Sequence, residues 1–245
     1  MNRKTRSAEH ILPNSIGGKR KAYNLLCKSC NETFGRSIDN ELASKLNRFY
    51  SLLTTQEPAL QPGARKDGKI IVHDRFIAEI KKSHSFSGSP GYFRSIAKIC
   101  LNFYLTKGYS RQYCETIKSY IRGDNASPPC FYYAPENETV HSLAENEVSH
   151  ILHLHGSKSS GALYAYIELF NMQNLIFVFT MDYEGNDIDT TYCRNLISDE
   201  EPSKKIALGL TRAQLEELAV SSEIMEKRLY PPFERLLQII RDRQH

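Results

Sequence analysis

Apolar side chains recur at helical spacing along the first half of the chain. One apolar face predicts a helix over residues 31–50. The positions that make up this face are Phe34, Ile38, Leu42, Leu46 and Phe49. From Tyr92 the chain is apolar around much of the helix circumference, which predicts a buried helix that stops at Gly108. The helical pattern resumes over residues 110–122 and predicts a second helix there.

Short extended runs predict strands in two other parts of the chain. Residues 9–13 and 22–27 lie on either side of a turn that contains Gly17 and Gly18, so we expect two strands joined by a loop. Residues 148–182 are rich in β-branched and aromatic side chains, which favour strands. We expect consecutive strands of an antiparallel sheet in this second region.

The last part of the chain returns to a helical pattern. Thr211 and Gln214 have the spacing of a capping box, which predicts the start of a helix. We expect the Pro231-Pro232 pair to interrupt this helix, because proline lacks the amide that a helix needs. A final helix is predicted over residues 233–241.

These elements predict an α+β fold with three segments. Residues 1–50 would form a small unit of two strands and a helix. Residues 51–91 would be a linker and connecting segment, because residues 54–69 place two Pro and two Gly among polar side chains. Residues 92–245 would form a larger accessory domain of helices and an antiparallel sheet.

Composition places the chain among cytoplasmic globular proteins. No run of about eighteen apolar residues occurs, so the sequence predicts no membrane span. The N-terminus is polar and basic with no apolar stretch behind it, which argues against a secretory signal. Of the six cysteines, Cys27 and Cys30 are the closely spaced pair. We therefore expect a reducing compartment and mostly free thiols.

Positive charge is concentrated at the N-terminus. The whole chain is +4, whereas residues 1–36 carry eight Lys and Arg against two Glu, so the remainder is slightly negative. A basic patch of this kind attracts the phosphates of nucleic acid, although a solvated basic terminus is an alternative that charge alone leaves open. The candidate nucleic-acid-binding residues are Lys19, Arg20, Lys21, Lys28 and Arg36.

The segment from Ser7 to Asp39 combines this charge with an ordered set of chemistry-bearing residues. The set consists of Glu9-His10, Pro13, Gly17-Gly18, Asn24-Leu25-Leu26-Cys27, Cys30-Asn31, Gly35 and Ile38-Asp39. In this order the residues resemble the HNH endonucleases, in the branch with a zinc-ribbon-like cysteine framework. The resemblance implies a ββα-metal motif within residues 1–50 and cleavage of nucleic acid, with double-stranded DNA as the expected partner.

The resemblance also implies a role for each residue of the site. His10 would be the general base, because a neutral imidazole can accept the proton of the attacking water. Asn24 would brace the loop that aims His10, and Asn31 would complete the catalytic set at the start of the helix. Glu9 and Asn31 would hold Mg²⁺ or Mn²⁺, because hard cations prefer oxygen ligands.

The cysteine framework is the point where this sequence departs from the family branch. Cys27 and Cys30 supply two of the four ligands that a structural Zn²⁺ needs, and the residues before Glu9 contain no cysteine. Three explanations stay open. The chain starts downstream of the true start, the zinc was lost and the thiols were kept, or distant ligands complete the site.

Other polar and aromatic groups carry weaker predictions. His153 and His155 would share one face of a strand, where metal binding competes with ordinary packing. A set of tyrosines in the middle of the chain suits core packing better than base stacking. These are Tyr92, Tyr104, Tyr109, Tyr113, Tyr120, Tyr132 and Tyr133. Two alternative functions stay open: a nucleic-acid-binding protein that does not cut, and a protein-interaction module.

Overall fold

The fold combines α-helices with an antiparallel sheet. The computed structural model describes residues 8–23, 25, 32, 34, 37–54, 77–134, 140–218 and 222–243. The α-helices are α1 (Ile38–Thr54), α2 (Pro90–Thr106), α3 (Glu115–Arg122), α4 (Arg212–Glu216) and α5 (Ser222–Asp242). Residues 77–83 are also helical, and short 3-10 helices occur at Asn14–Ile16 and Arg111–Cys114.

The strands form two separate sheets. β1 (Ala8–His10) and β2 (Lys21–Tyr23) make a two-stranded antiparallel sheet. The larger sheet contains β3 (Cys130–Tyr132), β4 (Ser149–Ser157), β5 (Ala162–Leu169), β6 (Gln173–Thr180) and β7 (Ile188–Asn195). Its strand order is β3-β6-β5-β4-β7, and every neighbouring pair is antiparallel.

Apolar side chains cover both faces of the larger sheet. On one face, Leu152 and Leu154 of β4 belong to a cluster that also includes residues of α1, α2 and α5. On the other face, Ile151 joins a smaller cluster with Tyr164 and Leu215. Every residue of β5 is buried, because this strand has strands on both edges and apolar layers on both faces. Because both faces of the sheet are buried, its strands contain runs of consecutive apolar residues.

The segment around β1 and β2 packs into the larger cluster. Ile11, Leu12 and Ile16 are fully or almost fully buried, at 2%, 1% and 0% exposure. They share one cluster of buried side chains with Phe49 of α1 and Ile240 of α5. The N-terminal segment is thus stabilised by side chains from distant parts of the chain. The division of the chain at residues 50 and 91 stays a prediction.

The structure confirms the α+β class and most of the expected elements. α2 lies where a buried helix was expected, α3 lies within the second expected helix, and β4 to β6 form the expected antiparallel strands. Thr211 caps α4 through the expected capping box with Gln214. Among the described cysteines, Cys100, Cys114, Cys130 and Cys193 are free thiols, whereas Cys27 and Cys30 lie outside the described residues.

Three expectations about the elements are wrong. The helix predicted over residues 31–50 is not continuous, because Ser37 lies in a turn and α1 runs from Ile38 to Thr54. The Pro231-Pro232 pair lies inside α5 and does not interrupt it. Leu229 and Phe233 on either side are 1% exposed, and their burial offsets the lost helical hydrogen bonds. The sheet also contains β3 and β7, which the strand pattern did not reveal.

Within the described ranges, no helix combines the length and the apolar character that crossing a membrane requires.

Candidate active site

The loop between β1 and β2 holds His10 in a defined backbone position. His10 is the last residue of β1 and pairs with Lys21 of β2. Gly17 adopts a φ of 93°, a left-handed conformation that suits glycine. A Cβ on Gly18 would lie 1.8 Å from the carbonyl oxygen of Leu12, so only glycine fits this close approach. The two glycines therefore allow the tight loop that connects β1 to β2.

Side chains of the larger sheet donate hydrogen bonds to the backbone of this loop. The Nε2 atom of the fully buried His150, on β4, lies 2.7 Å from the carbonyl oxygen of Ile16. The backbone amide of Phe170 donates to Nδ1 of the same ring at 3.1 Å, so Nε2 carries the proton and donates to Ile16. Arg194 of β7 also donates to the carbonyl oxygen of Gly17. These contacts fix the loop against two strands.

The environment of His10 disfavours the protonated form of its side chain. Its side chain is half-buried, and burial lowers the pKa of the imidazole, with the nearby Lys21 acting in the same direction. The Gly18 backbone acts in the opposite direction but does not reverse the shift. The imidazole is therefore neutral near pH 7. Its Nδ1 atom is buried and has no hydrogen-bond partner among the described residues.

Glu9 lies in a different environment from its neighbour His10. It is 8% exposed, and its Oε1 atom lies 2.7 Å from Nζ of Lys98 in α2. Nζ of Lys98 also lies 2.5 Å from Oδ2 of Asp39, and Ser95 donates to Oδ1 of Asp39 at 3.1 Å. Burial raises the pKa of Glu9, and Lys98 opposes this effect. A buried ion-pair cluster thus joins β1, α1 and α2.

Sequence reasoning did not include Lys98 among the site residues. The available indication was a lysine inside a helix that is otherwise apolar around its circumference, at positions where Ile96, Ala97, Ile99 and Cys100 are buried. A lysine in such a place needs a carboxylate partner, because an unpaired buried ammonium is very costly. The identity of that partner required the three-dimensional structure.

The donor chemistry of this cluster fits a hard divalent cation. Glu9 and Asp39 supply carboxylate oxygens, and the ammonium of Lys98 shows that the space between them accepts positive charge. Among the residues that the structure describes, no group of three or more His, Cys, Asp or Glu side chains is arranged to hold a metal ion. A cation at Glu9 would therefore need further oxygen ligands and would compete with Lys98.

The structure describes three of the candidate nucleic-acid-binding residues, and they differ in whether a carboxylate already pairs with them. Lys19 forms an ion pair with Asp199, and Arg20 lies 3.9 Å from Glu201. Lys21 is exposed and forms no ion pair within the described part of the chain. Of the three, Lys21 is therefore the side chain best placed to contact a phosphate.

A cavity of about 330 Å³ lies beside β2, and its lining is cationic. Arg20 and Lys21 contribute from one side and Lys107, at the end of α2, from the other. Burial lowers the pKa of Lys107, and the charge of Arg20 adds to this effect. Tyr23 also lines the cavity and is 61% exposed. Lys107 was not expected from the sequence, because its neighbours in the chain are not basic.

Six of the predicted site residues lie outside the described part of the chain. They are Asn24, Asn31, Cys27, Cys30, Lys28 and Arg36. The other five, Glu9, His10, Lys19, Arg20 and Lys21, lie on β1, on β2 or in the loop between them, and His10 pairs with Lys21 across the two strands. The expected roles of all eleven residues stay predictions.

The remaining histidines and tyrosines are mainly packing residues. His153 and His155 share a face of β4, with ring centroids 6.4 Å apart, and burial lowers the pKa of both. Tyr92, Tyr104 and Tyr120 are each 1% exposed, which confirms core packing for these three tyrosines.

The segment around β1 and β2 thus combines a histidine with a lowered pKa, a neighbouring buried carboxylate and a cavity with cationic side chains. Residues 1–47 match the family model of the HNH endonucleases, which confirms the resemblance that the motif predicted. No curated protein and no solved structure matches the chain.

Proposed function

We propose that this protein is an HNH endonuclease that hydrolyses phosphodiester bonds of double-stranded DNA. The observation that carries the proposal is His10, a neutral half-buried imidazole at the end of β1, inside the segment that matches the family. The match supports nuclease activity at the level of the family. Metal dependence, the DNA substrate and the role of His10 are our own inferences.

In the proposed mechanism, the chain supplies a base and a phosphate-binding surface. His10 accepts the proton of the attacking water at its neutral imidazole. Lys21 and Lys107 line the cavity beside β2 and would contact the phosphates of the substrate strand. Asn24 would hold the loop that orients His10.

A divalent cation has a defined place in this proposal. Glu9 and the side-chain oxygen of Asn31 would hold Mg²⁺ or Mn²⁺, which when bound stabilises negative charge on the phosphate. Cys27 and Cys30 would contribute to a zinc site only if further ligands complete it.

Cleavage of supercoiled plasmid tests the proposal. Purified protein is incubated with plasmid and Mg²⁺ or Mn²⁺, and the reaction is repeated with EDTA. We expect cutting that EDTA stops and that His10→Ala slows by about 100-fold or more, because a general base contributes about that much. His155→Ala is the matched control, since His155 is also half-buried with its pKa lowered by burial and an unpartnered Nδ1.

One observation favours an alternative function. The Glu9 carboxylate already has Lys98 as a partner, which suits a protein that binds nucleic acid without cutting it. Under that alternative, the wild-type protein binds plasmid in a salt-sensitive way and cuts in no metal. Cutting that persists unchanged in His10→Ala contradicts the assignment of the base.

A further inference from the structure

The ammonium of Lys98 lies between two carboxylates at the base of the candidate site. Its Nζ atom contacts Glu9 at 2.7 Å and Asp39 at 2.5 Å. The Lys98 side chain is 4% exposed and the Glu9 side chain 9%, so water screens their interaction poorly. With both carboxylates ionised, the cluster retains one net negative charge. This internal cation lies at the carboxylate that would hold a metal.

The two carboxylates are held differently. Asp39 accepts a hydrogen bond from Ser95 in addition to its contact with Lys98. Within the described part of the chain, Glu9 has Lys98 as its one ion-pair partner. Lys98 would therefore keep a partner, Asp39, if its contact with Glu9 were broken. Glu9, in contrast, would be a buried carboxylate without a positive partner unless another cation bound it.

We propose that Lys98 is a positioning residue that pairs with Glu9 in the cation-free protein, and that a divalent cation binds Glu9 by displacing Lys98, which then stays paired with Asp39 alone. The proposal rests on the proposed function, in which Glu9 is a metal ligand. Because like charges repel in a buried site, the ammonium lowers the affinity of Glu9 for a second cation. Lys98 thus sets the cation concentration at which the site fills.

Two substitutions test this role, and the direction of the Lys98→Gln change separates it from a merely structural one. Lys98→Gln removes the competing charge and leaves two carboxylates, so cation affinity rises. Asp39→Asn removes the second carboxylate that pairs with Lys98. Lys98 would then hold Glu9 more tightly, so the affinity of Glu9 for a cation falls. If the cluster only joined β1 to α2, both substitutions would loosen the site and weaken cation binding.

Titration calorimetry with Mn²⁺ alone measures these affinities without any cleavage. We expect the Kd of Lys98→Gln to be at least about tenfold lower than that of the wild type, because ligand charge controls affinity strongly. We expect the Kd of Asp39→Asn to be higher than that of the wild type. The increase in Mn²⁺ affinity should disappear in the double variant Lys98→Gln with Glu9→Gln. That loss would show that the increase depends on Glu9.

Lys204→Gln is the matched control. Lys204 is a similarly buried lysine, with a side chain 10% exposed and paired at 2.8 Å with Glu147, whose side chain is 11% exposed. Its replacement removes a buried ion pair outside the cluster that contains Glu9, so the Mn²⁺ Kd should match that of the wild type. Urea unfolding of each variant checks that it is folded.

Three results overturn the proposal. They are equal or weaker Mn²⁺ binding by Lys98→Gln, equal or tighter binding by Asp39→Asn, and no Mn²⁺ binding by any variant. If Lys98→Gln does not fold, Lys98→Met removes the same charge with an unbranched side chain, and the direction of its change in Mn²⁺ Kd decides the question. Failure of the proposed function is distinguishable, because the Mn²⁺ shifts would then occur in a protein that does not cut plasmid.

Discussion

At the scale of single residues, Glu9 and His10 show what a motif predicts and what it omits. The sequence order predicted both as site residues, because their side-chain chemistry and spacing are encoded locally. The neutral state of His10 depends on burial and on Lys21 across the strand pair, which the motif does not contain. Lys98 contacts Glu9 from a helix far along the chain, so only the fold could reveal it.

Gly18 gives a test at this scale. Gly18→Ala should lower the free energy of unfolding by about 2–3 kcal/mol, the range of a substitution that forces a backbone shift. The added Cβ would lie 1.8 Å from the carbonyl oxygen of Leu12. Because the same loop follows His10, cleavage should slow as well. Urea unfolding and plasmid cleavage measure the two effects.

Gly209→Ala is the control for this substitution. The nearest atom to a Cβ at Gly209 is Cε1 of His155 at 3.7 Å, an ordinary contact. Its unfolding free energy should stay within about 0.5 kcal/mol of the wild type. Equal stability of the two variants would show that the Gly18 turn is not constrained as described.

At the scale of elements, local patterns predicted the helices and strands that bury apolar side chains. α2, α3, β4, β5 and β6 are of this kind. β7 was missed because its sequence mixes apolar and polar residues, and it is a strand because it pairs with β4 along its length. α5 continues through two prolines because packing on both sides outweighs their local preference.

The end of α2 contributes a cation to the candidate binding surface, and this can be tested. Lys107→Gln should weaken binding of a DNA oligonucleotide and reduce its salt dependence by about one unit of slope, because one phosphate contact is lost. Lys21→Gln should have a similar effect, since both side chains line the same cavity. Fluorescence anisotropy over a range of salt concentrations measures both quantities.

Lys205→Gln serves as the comparison, because Lys205 is exposed and has no ion pair among the described residues. It removes the same charge outside the cavity. A loss of affinity as large as that of Lys107→Gln would mean that net charge, and not the cavity, controls binding.

At the scale of the whole molecule, the candidate site depends on the larger sheet for support. His150 and Arg194 bind the loop between β1 and β2 from two strands of that sheet. A sequence pattern cannot predict such contacts, because nothing local indicates which distant side chain will reach a given carbonyl group. The sequence therefore yields a prediction of the site's chemistry, whereas the contacts that support the loop required the fold.

Acid should destabilise the molecule through its buried histidines. Burial lowers the pKa of His84, His150 and His153 to about 4, from the ordinary value of 6.5. Between these values the unfolded chain binds protons that the folded chain excludes, so stability falls as the pH drops from 6.5 to 4. Urea unfolding at pH 7, 6 and 5 should show a progressive decrease. A constant or rising free energy of unfolding contradicts this prediction.

The central claim is that His10 is the base of a nuclease. Chemical rescue of His10→Ala tests it most directly, because added imidazole can enter the space that the ring leaves and accept the same proton. We expect His10→Ala to cut plasmid at a small fraction of the wild-type rate, and imidazole to restore part of that rate in proportion to its neutral form. Cutting by His10→Ala at the wild-type rate without imidazole would contradict the claim.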